Sequence, residues 1–399
     1  MNICYLIRSF STRGGTENYV YNMSMALAGL GHNVHIVSNT GKGQWDFKNL
    51  EDKIHVHQFV LREQAFRGSW RLEKILPLYT WRYMHMARKM LSALTKKYAI
   101  DIIEATDWGM DAWGYLPRRK VPVCVRLHGF PAFKENFDRG ILKKGLKNYF
   151  LWVLFRGHIL GADLVTGVSE SYAGFVRRAW EIKKKDIQII PIGIDSNNFH
   201  PTGVTRENNA ILFAGRLEKP KGIEVLAQAI PLILKEIPNV KFYFAGRDFE
   251  CTDRRETWSQ RLIKNFGNEQ VIYLGPLPTH ELIRYYQSVT VSIVPSLYEP
   301  GGTVALEAMF CGCPVIASRV GGLEEAIKER QTGLLTPAGD ARALADALIE
   351  LLQKPQMRQQ LSQKALEYSR KHFEINEIVQ QTLDAYSHAI KLFKSRKSH

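Results

Sequence analysis

The 399-residue chain lacks most of the signatures that would assign it quickly. It has no Asp-x-Asp triplet, the carboxylate pair with which many sugar- and phosphate-transferring enzymes hold a divalent ion. Neither G-x-G-x-x-G nor G-x-x-x-x-G-K-[ST] occurs, which argues against a dehydrogenase and against a P-loop. Its five cysteines, an odd number without a C-x-x-C pair, suit a reducing compartment. Cys311 and Cys313 flank a glycine in an expected helix-to-strand turn and read as buried small residues rather than metal ligands. No apolar run approaches the roughly 18 residues of a membrane span, and the N-terminus meets a charge too early for a signal peptide. The protein is therefore expected in the cytoplasm. Nothing is low-complexity and nothing repeats at fixed period, so a solenoid is excluded.

What is present is a basic α/β chain. Its length exceeds one ordinary core, so two domains are expected, and 45% apolar content is ample for both. The net charge of +15 is uneven: residues 1–205 carry +12 and residues 206–399 carry +3. Such a field favours anionic partners: nucleic acid, an acidic lipid surface or a phosphate-bearing substrate.

The most informative stretch is PSLYEPGGTVALEAMFCGCP, from Pro295 to Pro314. Its flanks read as strands and residues 303–310 as a helix, with Glu299, Gly301 and Gly302 in the loop before it. A helix N-terminus gathers unpaired N–H groups, and two glycines ahead of it let a ligand reach the backbone, so a phosphate is the natural guest. Glu299 and Glu307 bracket that place about 10 Å apart. That is too far for a glycosidase pair, but it suits two hydroxyl-bearing groups joined through a diphosphate. A capped helix with two incidental glutamates would produce the same pattern.

Strands and helices alternate through both halves, each half reading as a doubly wound domain. In the first, a strand at 2–7 leads into Gly14, Gly15 and Thr16 at the start of a helix expected from about Glu17. Strands at 100–103 and 121–127 run into Glu104 and Asp107 and into His128-Gly129, at the edge where open α/β sheets bind ligands. A histidine at a strand end is more often structural than functional. Strands at 210–214, 240–245, 270–274, 290–294 and 315–318 form the second half. After the first of these comes Gly215-Arg216-Leu217, then Lys221-Gly222, a loop with two cations able to hold a diphosphate. Phe244-Ala245-Gly246 and Leu274-Gly275-Pro276-Leu277 end the next two strands.

Two basic, aromatic stretches lie between these elements: Arg67 to Lys97, with Trp70, Tyr79, Trp81 and Tyr83, and Asp138 to Leu160. Each could lie on an anionic membrane surface or bury its apolar side in the core.

Glu299-Pro300-x-Gly302-x-x-x-x-Glu307-Ala308-Met309, followed by Gly312-x-Pro314-Val315, closely resembles the E-x7-E signature of retaining nucleotide-sugar glycosyltransferases of the group 1, family 4 type. Gly14-Gly15, His128-Gly129 and the G-R-L-x-x-x-K-G element at 215–222 match the same family in order, over most of the chain. The resemblance implies the GT-B architecture, two Rossmann-like doubly wound domains facing each other across a deep cleft. Domains are expected at 1–195, completed by a last helix at about 374–394, and at 196–373. It further implies that Arg216 and Lys221 contact the donor diphosphate, that Glu307 holds the ribose, and that His128 and Glu299 lie beside the donor sugar. Gly15, Gly246, Leu277, Gly301, Gly302, Thr303 and Val304 would complete the donor site; Glu104 and Asp107, by their place at a strand's carboxyl end, are candidates for the acceptor side. Gly301 departs from the family, which usually carries a bulky or aromatic residue there.

The expected reaction is retaining transfer from a UDP- or GDP-sugar to a hydroxyl of a glycan, glycolipid or lipid-linked acceptor, in polysaccharide or glycolipid assembly. No metal and no other cofactor is expected, since fixed cations and helix N-termini can stabilise the leaving diphosphate. A glycan phosphorylase and a membrane- or nucleic-acid-binding module are the rivals. No nucleic-acid-binding signature supports the latter, and contact with the inner face of the cytoplasmic membrane stays open.

Overall fold

The computed structural model describes all residues except 11–13, 40–51, 62–77, 108, 130–137, 139, 141, 142, 183, 184, 252, 254, 398 and 399. Part of the glycine loop before Gly14 and the 67–77 portion of the first basic stretch, with Trp70, thus lie outside the described residues.

The chain divides into two compact units, Met1–Gly193 with Asn376–His399, and Ile194–Ile375. The break falls at Gly193 because Ile194 already pairs with the second unit: its N–H donates to Phe373 O (2.8 Å) and its carbonyl accepts from Ile375 N (3.0 Å).

The first unit holds β1 (Asn2–Ser9), α1 (Gly15–Gly29), β2 (Asn33–Asn39), β3 (Ile54–Phe59), α2 (Leu78–Lys97), β4 (Ile102–Thr106), β5 (Val123–Leu127), α3 (Leu146–Gly161), β6 (Leu164–Gly167), α4 (Glu170–Ala179) and β7 (Gln188–Ile189). All neighbouring strands run parallel, in the order β3-β2-β1-β4-β5-β6-β7. β4 and β5 are buried at every position, as parallel strands covered on both faces must be. Ser169 caps α4 by accepting from Tyr172 N at 3.2 Å. β3 was not anticipated from the sequence, and α1 begins two residues before the expected start.

The second unit repeats the plan with β8 (Ala210–Ala214), α5 (Ile223–Glu236), β9 (Lys241–Ala245), α6 (Trp258–Phe266), β10 (Val271–Gly275), α7 (Thr279–Ser288), β11 (Val291–Val294), α8 (Thr303–Phe310), β12 (Val315–Ser318), α9 (Gly321–Ala326), β13 (Leu334–Thr336), α10 (Ala341–Gln353) and α11 (Pro355–Phe373). Its parallel order is β10-β9-β8-β11-β12-β13, and β13 is an addition to the expected strands. Two apolar clusters cover the two faces of this sheet. One is built on Phe213, Phe242 and Leu348, the other on Leu212, Leu306 and Phe310.

In both sheets the strand order reverses beside the first strand of the unit: between β1 and β4, and between β8 and β11. Crevices at the carboxyl ends of strands open at such reversals. The last helix, α12 (Ile375–Lys397), returns to the first unit. It runs through Lys397, three residues past the expected end at about 394. All five cysteines are buried and free, and no helix among the described residues is long and apolar enough to cross a membrane.

Candidate functional site

In the second unit the reversal brings the loops after β8 and β11 side by side. The tightest contact between them is at Gly222, which precedes α5 with φ of +75°; a Cβ there would sit 1.7 Å from Pro295 O. No other residue fits that position. The approach sets Lys221 against Glu299: Nζ lies 2.6 Å from Oε2, with both side chains mostly covered. The other carboxylate oxygen of Glu299 accepts from Gly302 N at 3.3 Å. Gly302, at φ +68°, is the N-cap of α8, and no side chain caps that helix. An ammonium, a carboxylate and the free N–H groups of a helix start therefore meet at one point, with Thr303 and Val304 partly exposed in the first turn.

The rest of the loop is held from below. Gly322 N donates to Glu299 O at 2.9 Å, and a Cβ on Gly322 would lie 2.3 Å from Pro300 O. Gly321-Gly322 was missed in the sequence, although a glycine pair two residues beyond a strand is a recognisable sign of close backbone approach. Arg216 is half exposed and pairs with Glu218, Nη2 to Oε1 at 2.8 Å. Glu307 accepts from Tyr286 OH at 3.0 Å; burial pushes its carboxyl up to about 7, against the pull of that hydroxyl. Gly246 ends β9 against the loop of β8, its N–H on Gly275 O (2.8 Å) and its carbonyl accepting from Tyr273 OH (3.1 Å). Leu277 follows β10 and is partly buried, as is Gly301. Arg216, Lys221, Gly246, Leu277, Glu299 and α8 thus all stand at the carboxyl edge of one sheet, with Glu307 one helix turn further on. Glu218 and Tyr286, the partners that orient Arg216 and Glu307, carry no sequence pattern of their own.

In the first unit Gly15 opens α1, exposed, with nothing within 4 Å of where a Cβ would stand. His128 and Asp107 follow β5 and β4 directly. Asp107 is fully buried and accepts from His128 N (3.1 Å), Gly129 N (3.4 Å) and Tyr172 OH (2.9 Å). Burial pushes its carboxyl up to about 6, with the His128 N–H pulling the other way. Proposed from the sequence as an acceptor-side group, Asp107 is instead committed to holding the His128-Gly129 turn. The His128 ring meets Tyr19 edge-on at 4.7 Å, and its Nε2 has no hydrogen-bond partner among the described residues. Burial, then the charge of Arg126, holds its pKa well below the ordinary histidine value. It is a neutral imidazole at physiological pH.

Glu104 requires a correction. β4 runs from Ile102 to Thr106 instead of ending at Ile103, which moves Glu104 from the strand's end to its middle. There it is buried and accepts from Tyr19 OH (3.0 Å) and from Tyr386 OH on α12 (2.6 Å). It anchors the last helix and is not open to an acceptor. Arg8 and Asp111 were missed. Arg8 Nε lies 3.4 Å from Asp111 Oδ1, and the guanidinium stands 4.9 Å over the Tyr83 ring. An arginine next to the end of an apolar strand was the available signal.

Two doubly wound parallel sheets, each with charged or glycine-rich loops at its reversal, match the pair of Rossmann-like domains of the GT-B fold. The family model described as glycosyl transferases group 1 matches residues 195–368, and that of glycosyltransferase family 4 matches residues 13–198. A D-inositol 3-phosphate glycosyltransferase from Corynebacterium diphtheriae is 35% identical over 384 residues, covering 89% of this chain and 86% of that protein. Among solved structures, the sucrose-phosphate synthase of Thermosynechococcus elongatus superposes with a TM-score of 0.79 at 24% identity, over 99% of both chains. Anabaena HepE in complex with UDP and glucose superposes with a TM-score of 0.72 at 20% identity, over 96% of this chain and 99% of that one. The chain belongs to the group 1, family 4 glycosyltransferases.

Proposed function

We propose that this glycosyltransferase moves a hexosyl group from a UDP- or GDP-sugar to a hydroxyl of a glycan, glycolipid or lipid-linked acceptor, with retention of anomeric configuration and without a metal ion. The observation that carries the reading is the convergence of Lys221, Glu299 and the uncapped start of α8 beside the β8–β11 reversal. The solved complex of HepE with UDP and glucose supports the choice of donor class.

As the bond from anomeric carbon to phosphate oxygen breaks, negative charge collects on the departing diphosphate. Lys221, Arg216 and the α8 N–H groups are fixed positive ends suited to it, and preorganised groups of this kind are usually the largest catalytic contribution. Both cations are already held by carboxylates, Arg216 by Glu218 and Lys221 by Glu299, so they stand oriented before a phosphate arrives. Glu299 has the position of a sugar-orienting carboxylate rather than of a nucleophile. The acceptor oxygen attacks from the face the diphosphate leaves, and its proton passes to a leaving phosphate oxygen, so no protein base is required. Glu307 is assigned to the ribose, and neutral His128 to a hydrogen bond with the donor sugar. The basic first unit favours a phosphate-bearing or lipid-linked acceptor.

Thermal-shift measurements with UDP-, GDP- and ADP-sugars test the donor. A shift with one nucleotide series, lost in Lys221→Ala, is expected, together with turnover that persists in chelator. Absence of any nucleotide-dependent shift, or a strict need for magnesium or manganese, would overturn the proposal.

A further inference from the structure

Helix α3 is apolar on two sides. Leu154, Phe155, His158 and Ile159 bury one side in the unit. On the opposite side, within about 60° around the axis, Leu146, Tyr149, Val153 and Leu160 are 54%, 50%, 40% and 40% exposed. A helix of a soluble domain normally turns its charged side outward; one that is apolar all round is covered by something. Beside this stripe, between α2, α3 and the turn at Leu116–Arg118, runs an open groove of about 560 Å³. Trp81, Met84, Trp113, Phe150 and Val153 line it, and Trp81 meets Phe150 edge-on at 6.3 Å while itself 39% exposed.

The charge around it has one sign. α2, α3 and residues 116–120 together carry ten Lys and Arg and no Asp or Glu. Arg88 and Arg118 line the groove, and neither pairs with a carboxylate among the described residues. A second protein's apolar surface would match the stripe but not this uniformly positive frame. A bilayer of anionic lipid matches both, with hydrocarbon against the stripe and groove, phosphates against the arginines, and Trp81 and Tyr149 at the interface between them.

We infer that this face of the first unit docks on an anionic phospholipid surface, one acyl chain entering the groove beside Phe150 and Val153 while Arg88 and Arg118 hold lipid phosphate. The inference goes beyond the transfer reaction and rests on no part of the donor site.

The test is flotation of the full chain with vesicles, without nucleotide, comparing phosphatidylcholine alone with phosphatidylcholine containing phosphatidylglycerol. Binding is expected on the anionic vesicles. Brominated acyl chains should quench the tryptophan fluorescence, since Trp81 and Trp113 line the groove. Val153→Asp and, separately, the double variant Arg88→Glu with Arg118→Glu should each weaken partitioning by about tenfold or more. Both lie at accessible positions, and unchanged thermal unfolding confirms that the variants fold. The inference falls if neither vesicle is bound, if the variants bind like the parent, or if binding is lost in salt and never quenched by brominated chains, which would mean headgroup charge alone. A concentration-dependent dimer abolished by Val153→Asp would assign the face to a second copy of the chain instead. Nucleotide-induced thermal shifts measured on the same variants should match the parent, so failure here and failure of the donor reading are told apart.

Discussion

The two sheet reversals are built alike and filled differently. Between β1 and β4 the side chains face inward. Glu104 bonds two tyrosines, Asp107 clamps a backbone turn, Asp111 holds Arg8, and all three carboxyls are pushed up by burial. Beside them Arg126 is fully buried, its guanidinium 4.4 Å over the Tyr19 ring and its Nη2 donating to the carbonyls of Ile190 (2.8 Å) and Pro191 (3.0 Å). Between β8 and β11 the charges stay nearer the surface and act in exposed or partly covered pairs, Lys221 with Glu299 and Arg216 with Glu218. The same topology thus carries a desolvated network in one unit and more accessible ion pairs in the other. Part of the difference comes from α12, whose Tyr386 reaches into the first reversal across 282 residues of sequence.

The comparison predicts separable damage. Glu104→Ala should strip an acceptor from Tyr19 and Tyr386 and a neighbouring negative charge from the buried Arg126, costing about 3–5 kcal/mol. Chemical denaturation should show that loss, and a change within error would mean the network is ornamental. Lys221→Ala should leave stability nearly intact while lowering kcat by about 10²-fold or more, a loss of roughly 2.7 kcal/mol of transition-state stabilisation. Near-parental turnover would remove the contrast between scaffold and site.

Glu307 joins the two behaviours, since it is both covered and assigned to a ligand. Its carboxyl titrates near 7 in the fold against 4.5 ordinarily. The folded state therefore binds the extra proton between those values, and stability from this group falls as pH rises from about 4.5 to about 7. Glu307→Gln removes that cost. The variant should gain stability over the parent at pH 8, by at most about 3 kcal/mol because the side chain keeps some exposure, and gain little near pH 4.5. The same variant should bind nucleotide more weakly in calorimetry. Equal gains at both pH values would show that the carboxyl is not desolvated. Tyr386→Phe is the mildest test, removing one of Glu104's hydrogen bonds for about 1–2 kcal/mol and loosening α12 in hydrogen exchange.

Much of the second unit's site was legible because its parts are local. A helix N-cap, two glycines before it and carboxylates eight residues apart follow from short-range rules, and α8 spans the residues expected of it, Thr303 to Phe310. Arg216 and Lys221 were visible for the same reason, as cations in a loop directly after an apolar strand. The first unit was harder to read. Glu104 and Asp107 have the composition of strand-end ligands, but β4 runs on past Glu104 to Thr106, and the tyrosines arriving from α1, α4 and α12 turn both to structural work.

The order of residues determined the alternation of strands and helices, the position of the glycine-preceded helix start and the family signature, since each depends on periodicity or spacing over fewer than about fifteen residues. Only the tertiary structure decided which charged groups stay reachable. Burial and hydrogen-bond partners come from segments distant along the chain, and it is desolvation by those segments, not residue type, that separates the clamped Asp107 from the accessible Arg216.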